Sequence, residues 1–90
     1  MPVKFQLSSC LTKNILHLQL LGEFDGSAAY ELIKKIEEDS SGASKIMIDT
    51  TELKSIHPFG KTVFRTRIGP LSRRLFGLTF VGKYKHQFES

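Results

Sequence analysis

The chain reads as an α/β domain with a mixed four-stranded sheet. It is built as a hairpin followed by two β-α-β crossovers, with two main helices packed mostly on one face and a short C-terminal helix. Three observations predict this. Val3, Phe5 and Leu7 alternate with Lys4, Gln6 and Ser8, and Leu16, Leu18 and Leu20 alternate with His17 and Gln19, the period of two that marks half-buried strands. From Ser27 to Ile36, and again from Pro58 to Leu75, apolar residues take helical spacing. Each helical stretch is followed by a short apolar run, Ile46 to Ile48 and then Leu78 to Val81, the order that gives parallel neighbours through right-handed crossovers.

The first strand begins at Val3, and Ser9 to Asn14 reads as a turn-rich link to a second strand from Ile15 to Leu21. Gly22 to Gly26 breaks that strand. A helix then opens at Ser27, with Asp25 or Ser27 able to cap its free N–H groups and Glu31 placed to meet Lys35 one turn on. Its apolar stripe is Ala28, Ala29, Leu32, Ile33 and Ile36. Glu37, Glu38 and Asp39 oppose the helix dipole at its far end, so the last turn is expected to fray before Ser40-Ser41-Gly42.

The stretch around which the chain is organised is Lys45 to Gly60. It reads as a buried strand ending near Thr50, a polar turn at Thr50-Thr51-Glu52, and a helix start at His57-Pro58-Phe59-Gly60. Proline is tolerated at the first helical position, where its missing N–H would have no partner. Such a junction sits at the carboxyl end of a sheet, the usual place for a ligand or partner. The second helix is expected from 58 to 68, broken at Gly69-Pro70, with a short turn to about 75. Leu78 to Val81 forms the last strand, and Tyr84 and Phe88, at i, i+4, allow at most two further helical turns.

Ninety residues make one domain, 1–90. No segment has the roughly 18 consecutive apolar residues of a membrane span, and the N-terminus lacks the pattern of a signal peptide, so a cytoplasmic setting is expected. Cys10, the single cysteine, reads as a passive thiol. The net charge of +4 is divided: residues 1–52 hold five Lys against eight acidic residues, and residues 53–90 hold eight Lys or Arg against Glu89. A basic second half fits an acidic partner, nucleic acid or an anionic surface, and equally a solvated helix face.

Catalytic chemistry is poorly represented. There is no P-loop, dinucleotide loop or G-x-S-x-G elbow, and His17, His57 and His86 each lack a Cys, Asp or His at i+2 to i+4. No enzyme, metal or cofactor is expected. Lys61, Arg65, Arg67, Arg73 and Arg74 can form a basic strip that binds an anion or nucleic acid, although Phe59, Phe64 and Phe76 occupy positions expected in the core rather than exposed for base stacking.

Three local patterns, in order, resemble the STAS domain, the family of bacterial anti-sigma factor antagonists. Leu20-Leu21-Gly22-Glu23-Phe24-Asp25 resembles the loop before its first helix, and Ile46-Met47-Ile48-Asp49 its central strand ending in Asp. Ile56-His57-Pro58-Phe59-Gly60 occupies the place of its D-S-S-G signature. The resemblance implies a non-catalytic protein-binding module in bacterial signalling, with an anti-sigma factor or kinase-like regulator as partner. It places the binding surface on Glu23, Phe24, Asp25, His57, Pro58, Lys61, Thr62 and Arg65. The C-terminal helix is truncated relative to the family's, which is expected to leave part of one sheet face for a homodimer partner or another protein. The chain departs from the family where it matters for regulation. Pro58 stands at the phosphorylatable Ser, so the usual phosphate switch has no acceptor there. Thr62, one turn further in, is the remaining hydroxyl, and an ordinary helix threonine is the favoured reading.

Overall fold

The computed structural model describes residues 4–39, 42–72 and 77–89. Lys13 (φ 50°) and Asn14 (φ 67°) make a two-residue turn between β1, Phe5–Thr12, and β2, Ile15–Phe24. Two consecutive positive φ angles match the right-handed twist of the flanking strands, and asparagine tolerates this region better than most residues. The link expected at Ser9 to Asn14 is therefore mostly strand, paired in continuous antiparallel register from Phe5↔Gly22 to Thr12↔Ile15. β2 likewise runs through the expected break at Gly22. That residue has φ +94°, and a Cβ on it would strike the Lys4 carbonyl, so glycine here keeps the strand going.

Helix α1, Gly26–Asp39, buries Ala28, Ala29, Leu32, Ile33 and Ile36, the stripe its spacing predicts. Asp25 is its cap, with the carboxylate accepting from the Ala28 N–H at 2.9 Å. At the far end Lys35 pairs with Asp39 at 3.1 Å rather than with Glu31, and the Asp39 carboxylate also accepts from the Ser9 hydroxyl at 3.3 Å. The end expected to fray is thereby tied to β1.

Strand β3, Lys45–Ile56, is twice as long as expected. The polar turn at 50–52 is instead a bulge: Gln19 pairs with Asp49 but Leu21 with Glu52, so β3 spends one extra residue there. A second shift lies between Gly22 and Glu23. Each inserted residue reverses the alternation, which is why Ile48, Thr50 and Leu53 are all buried on the same side. Buried Thr50 is fully used, since its hydroxyl donates to the Val81 carbonyl at 2.9 Å and accepts from the Tyr84 N–H at 3.0 Å. Asp49 accepts from the Thr51 N–H at 2.9 Å within the bulge.

Helix α2, Pro58–Ser72, continues through Gly69-Pro70 instead of breaking there. The clash that drives a residue out of helical conformation before proline is with its N–H and its Cβ, and Gly69, without a Cβ, escapes the second part. β4, Leu78–Val81, pairs parallel to β3, and α3 spans Lys85–Glu89. The sheet order is β1-β2-β3-β4, a mixed four-stranded sheet with α1 and α2 on one face. On that face Phe24, Phe64, Phe80 and Phe88 form a ring cluster, with Phe24 edge-on to Phe88 at 4.9 Å and Phe80 stacked on Phe88 at 5.1 Å. The opposite face carries a shallow depression of mixed polar and apolar lining that includes Ser8, Cys10, His17, Gln19, Met47, Asp49 and Val81. No helix among the described residues is long and apolar enough to cross a membrane.

Candidate interaction surface

Two strand-to-helix junctions meet at one end of the sheet. At the first, β2 delivers Glu23, Phe24 and Asp25 into α1; at the second, β3 delivers His57 and Pro58 into α2. Backbone contacts lock the two together. The His57 N–H donates to the Phe24 carbonyl at 2.9 Å, and a Cβ at Gly60 would lie 2.6 Å from that same oxygen and 2.8 Å from the Asp25 carbonyl. Glycine at 60 thus allows the first turn of α2 to sit directly on the first junction.

Side chains divide sharply across this platform. Phe24, expected on the surface, is completely buried, because it continues the inward parity of Leu16, Leu18 and Leu20 once β2 runs through Gly22. It is a core residue and offers nothing to a partner. Phe59, expected in the core, is 70% exposed and lies over Gly26, whose added Cβ would be 2.7 Å from the ring. The buried positions of α2 include Gly60 and Phe64, one turn apart, and Phe59 stands off that row.

The other expected residues lie along the same two junctions and the first two turns of α2. Glu23 Oε1 lies 3.5 Å from His57 Nε2, with both side chains substantially exposed. Such an exposed contact contributes little to stability. Pro58 is exposed at the first helical position, and Lys61 begins the helical ladder by donating its N–H to the His57 carbonyl at 3.2 Å. Thr62 donates its hydroxyl back to the Pro58 carbonyl at 3.1 Å, an ordinary arrangement for a helix threonine. Arg65 is exposed one turn beyond Lys61. Asp25 is occupied as the cap of α1.

Two surface aromatics escaped sequence reading. Besides Phe59, Tyr30 on α1 is 54% exposed, and the Arg67 guanidinium lies 5.2 Å from its ring centroid across the two helices. Tyr30 falls outside the α1 apolar stripe, which was a signal available in the sequence. The basic strip is thereby partly redirected: Arg67 faces α1, while Arg73 and Arg74 lie outside the described residues, as do Val3, Leu75 and Phe76. Among the described residues, no three of His, Cys, Asp or Glu are grouped to hold a metal ion.

No protein-family model and no curated protein matches the chain. Among solved structures it is similar to the anti-sigma factor antagonist SpoIIAA in its unphosphorylated form, with a TM-score of 0.66 and 18% identity over 94% of this chain and 78% of that one. It is also similar to the STAS domain of an anti-sigma factor antagonist from Rhodobacter sphaeroides, with a TM-score of 0.67 and 13% identity over 96% and 91% of the two chains. The fold is STAS-like. An uncharacterised protein from Shewanella loihica, described as having a SpoIIAA-like fold, aligns with a TM-score of 0.61 and 14% identity over 92% of this chain and 70% of that one. At these identities the likeness carries the fold. In this STAS-like chain, His57, Pro58 and Phe59 are exposed where β3 passes into α2, and Gly60 is buried beneath them.

Proposed function

We propose that the chain is a non-catalytic protein-interaction module of bacterial signalling, working in the cytoplasm in the manner of an anti-sigma factor antagonist. Its contact surface is Glu23, His57, Pro58, Phe59, Lys61, Thr62 and Arg65, with Asp25 shaping the platform from below. The observation that carries the reading is Phe59: a large aromatic, 70% exposed, on a backbone platform fixed by close contacts. Aromatic residues in such positions anchor protein interfaces, because they bring large apolar area at low entropic cost. Lys61 and Arg65, one turn apart on another face of the same helix start, suit a partner with acidic character, an anti-sigma factor or kinase-like regulator. With Pro58 at the usual acceptor position, binding is not gated by phosphate there.

The test is capture from the native lysate on immobilised wild-type chain, on Phe59→Ala and on Lys61→Glu/Arg65→Glu. A specific protein retained by wild type and lost from both variants, with Phe59→Ala weakening the purified pair by about 30-fold or more, supports the reading. Recovery of nucleic acid that is released as salt rises, or a set of proteins indifferent to both variants, overturns it.

A further inference from the structure

We infer that the outer edge of β1 is a self-pairing surface, through which two copies of the chain join their sheets. This edge is remote in role from the helix-end surface, and the inference does not depend on it. β1 is the first strand in the sheet order and, among the described residues, pairs with β2 alone. Eight residues long, it carries no charge, no proline and no bulge from Phe5 to Thr12. Natural edge strands are usually blunted by one of those devices, and this one is not.

The register decides which backbone groups point outward. The Glu23 N–H donates to the Lys4 carbonyl at 2.7 Å, and the antiparallel pattern alternates, so residues 4, 6, 8, 10 and 12 bond towards β2. The N–H and C=O groups of Phe5, Leu7, Ser9 and Leu11 therefore face away from the sheet. An antiparallel two-fold centred on Ser8 sets Phe5 opposite Leu11 of the second copy and Leu7 opposite Ser9. Every outward donor then meets an acceptor, a complementarity of partial charges that other registers achieve over fewer residues.

Side chains favour the same register. Leu11 is 52% exposed, and Phe5 is only partly buried on the same face. The two-fold brings each Leu11 onto the Phe5 of the other copy, an aromatic and aliphatic cross-strand pair. Lys4 and Lys13, the nearest charges along the strand, fall outside the paired stretch, and Asp39, which reaches the Ser9 hydroxyl from α1, is paired with Lys35. A single strand seam buries less than the roughly 1,200–2,000 Å² of a standard stable interface, so the dimer is reversible and fills as concentration rises.

Sedimentation equilibrium on the full chain, with a cysteine probe of register, tests this. Wild type is expected to move from 10.2 kDa towards twice that mass as concentration rises into the millimolar range, while Leu11→Lys stays at the lower mass with an unchanged circular dichroism spectrum. In a Cys10→Ser background, Ser8→Cys faces its own copy across a non-hydrogen-bonded pair, at a Cα separation of about 4.5 Å that suits a disulfide. It is expected to cross-link under mild oxidation at least tenfold faster than native Cys10, which faces Gln6. A chain that stays monomeric throughout overturns the inference. So does a dimer in which Cys10 links faster than Ser8→Cys, or one that Leu11→Lys leaves intact.

Discussion

Phe24 and Phe59 sit at neighbouring strand-to-helix junctions, and their environments are opposite. Phe24 is completely buried among Phe5, Phe64 and Phe88, whereas Phe59 is 70% exposed over Gly26. Residue type does not separate them; phase does. Phe24 inherits the inward parity of a strand, while Phe59 falls just off the buried row of a helix that begins one residue earlier. The first junction therefore spends its aromatic on folding, and the second keeps its aromatic available for contact. The closed junction is also the floor on which the open one stands.

That contrast can be broken from the closed side first. Phe24→Ala is expected to destabilise the fold by about 3–5 kcal/mol, a large share of a typical domain's stability, and urea unfolding will show a midpoint lowered in proportion or no transition. Gly60→Ala forces a methyl group against the Phe24 and Asp25 carbonyls, so α2 must shift; a loss of about 1–3 kcal/mol is expected in thermal melts. Asp25→Ala removes the α1 cap and should cost about 1 kcal/mol, with amide exchange accelerated chiefly at Ala28. Phe59→Ala sharpens the contrast from the other side. Its stability is expected to stay within about 0.5 kcal/mol of wild type while partner binding is lost, and a large drop in stability instead would return Phe59 to the core.

Much of the architecture is legible in the sequence because two periodicities carry it. The α1 stripe matches the buried set residue for residue, and the order of strands and helices fixes the crossovers. Bulges were not legible, because an inserted residue that flips alternation looks locally like a turn: Thr50-Thr51-Glu52 is polar and ends an apolar run, yet it stays in the sheet. The same error at Gly22 ended β2 early and left Phe24 on the wrong side. Gly69-Pro70 misled because part of the usual steric argument rests on a Cβ before the proline, which Gly69 lacks. For the candidate surface, the resemblance around His57 to Gly60 led to the right end of the sheet, but it could not say which of two phenylalanines points outward. That needed the phase of α2 relative to Gly60 and Phe64.

The placement of Phe88 has a consequence for how the chain is made. Phe24, Phe64 and Phe80 are complete as a cluster only when the ring of Phe88 is set among them, and α3 supplies it from the far end of the described chain. During synthesis, residues up to Phe80 emerge with their sheet and helices specified but with an aromatic gap at the centre. Domains fold as units while translation proceeds at about 5–20 residues per second. The nascent chain must therefore hold an incomplete apolar centre away from other chains until α3 leaves the ribosome.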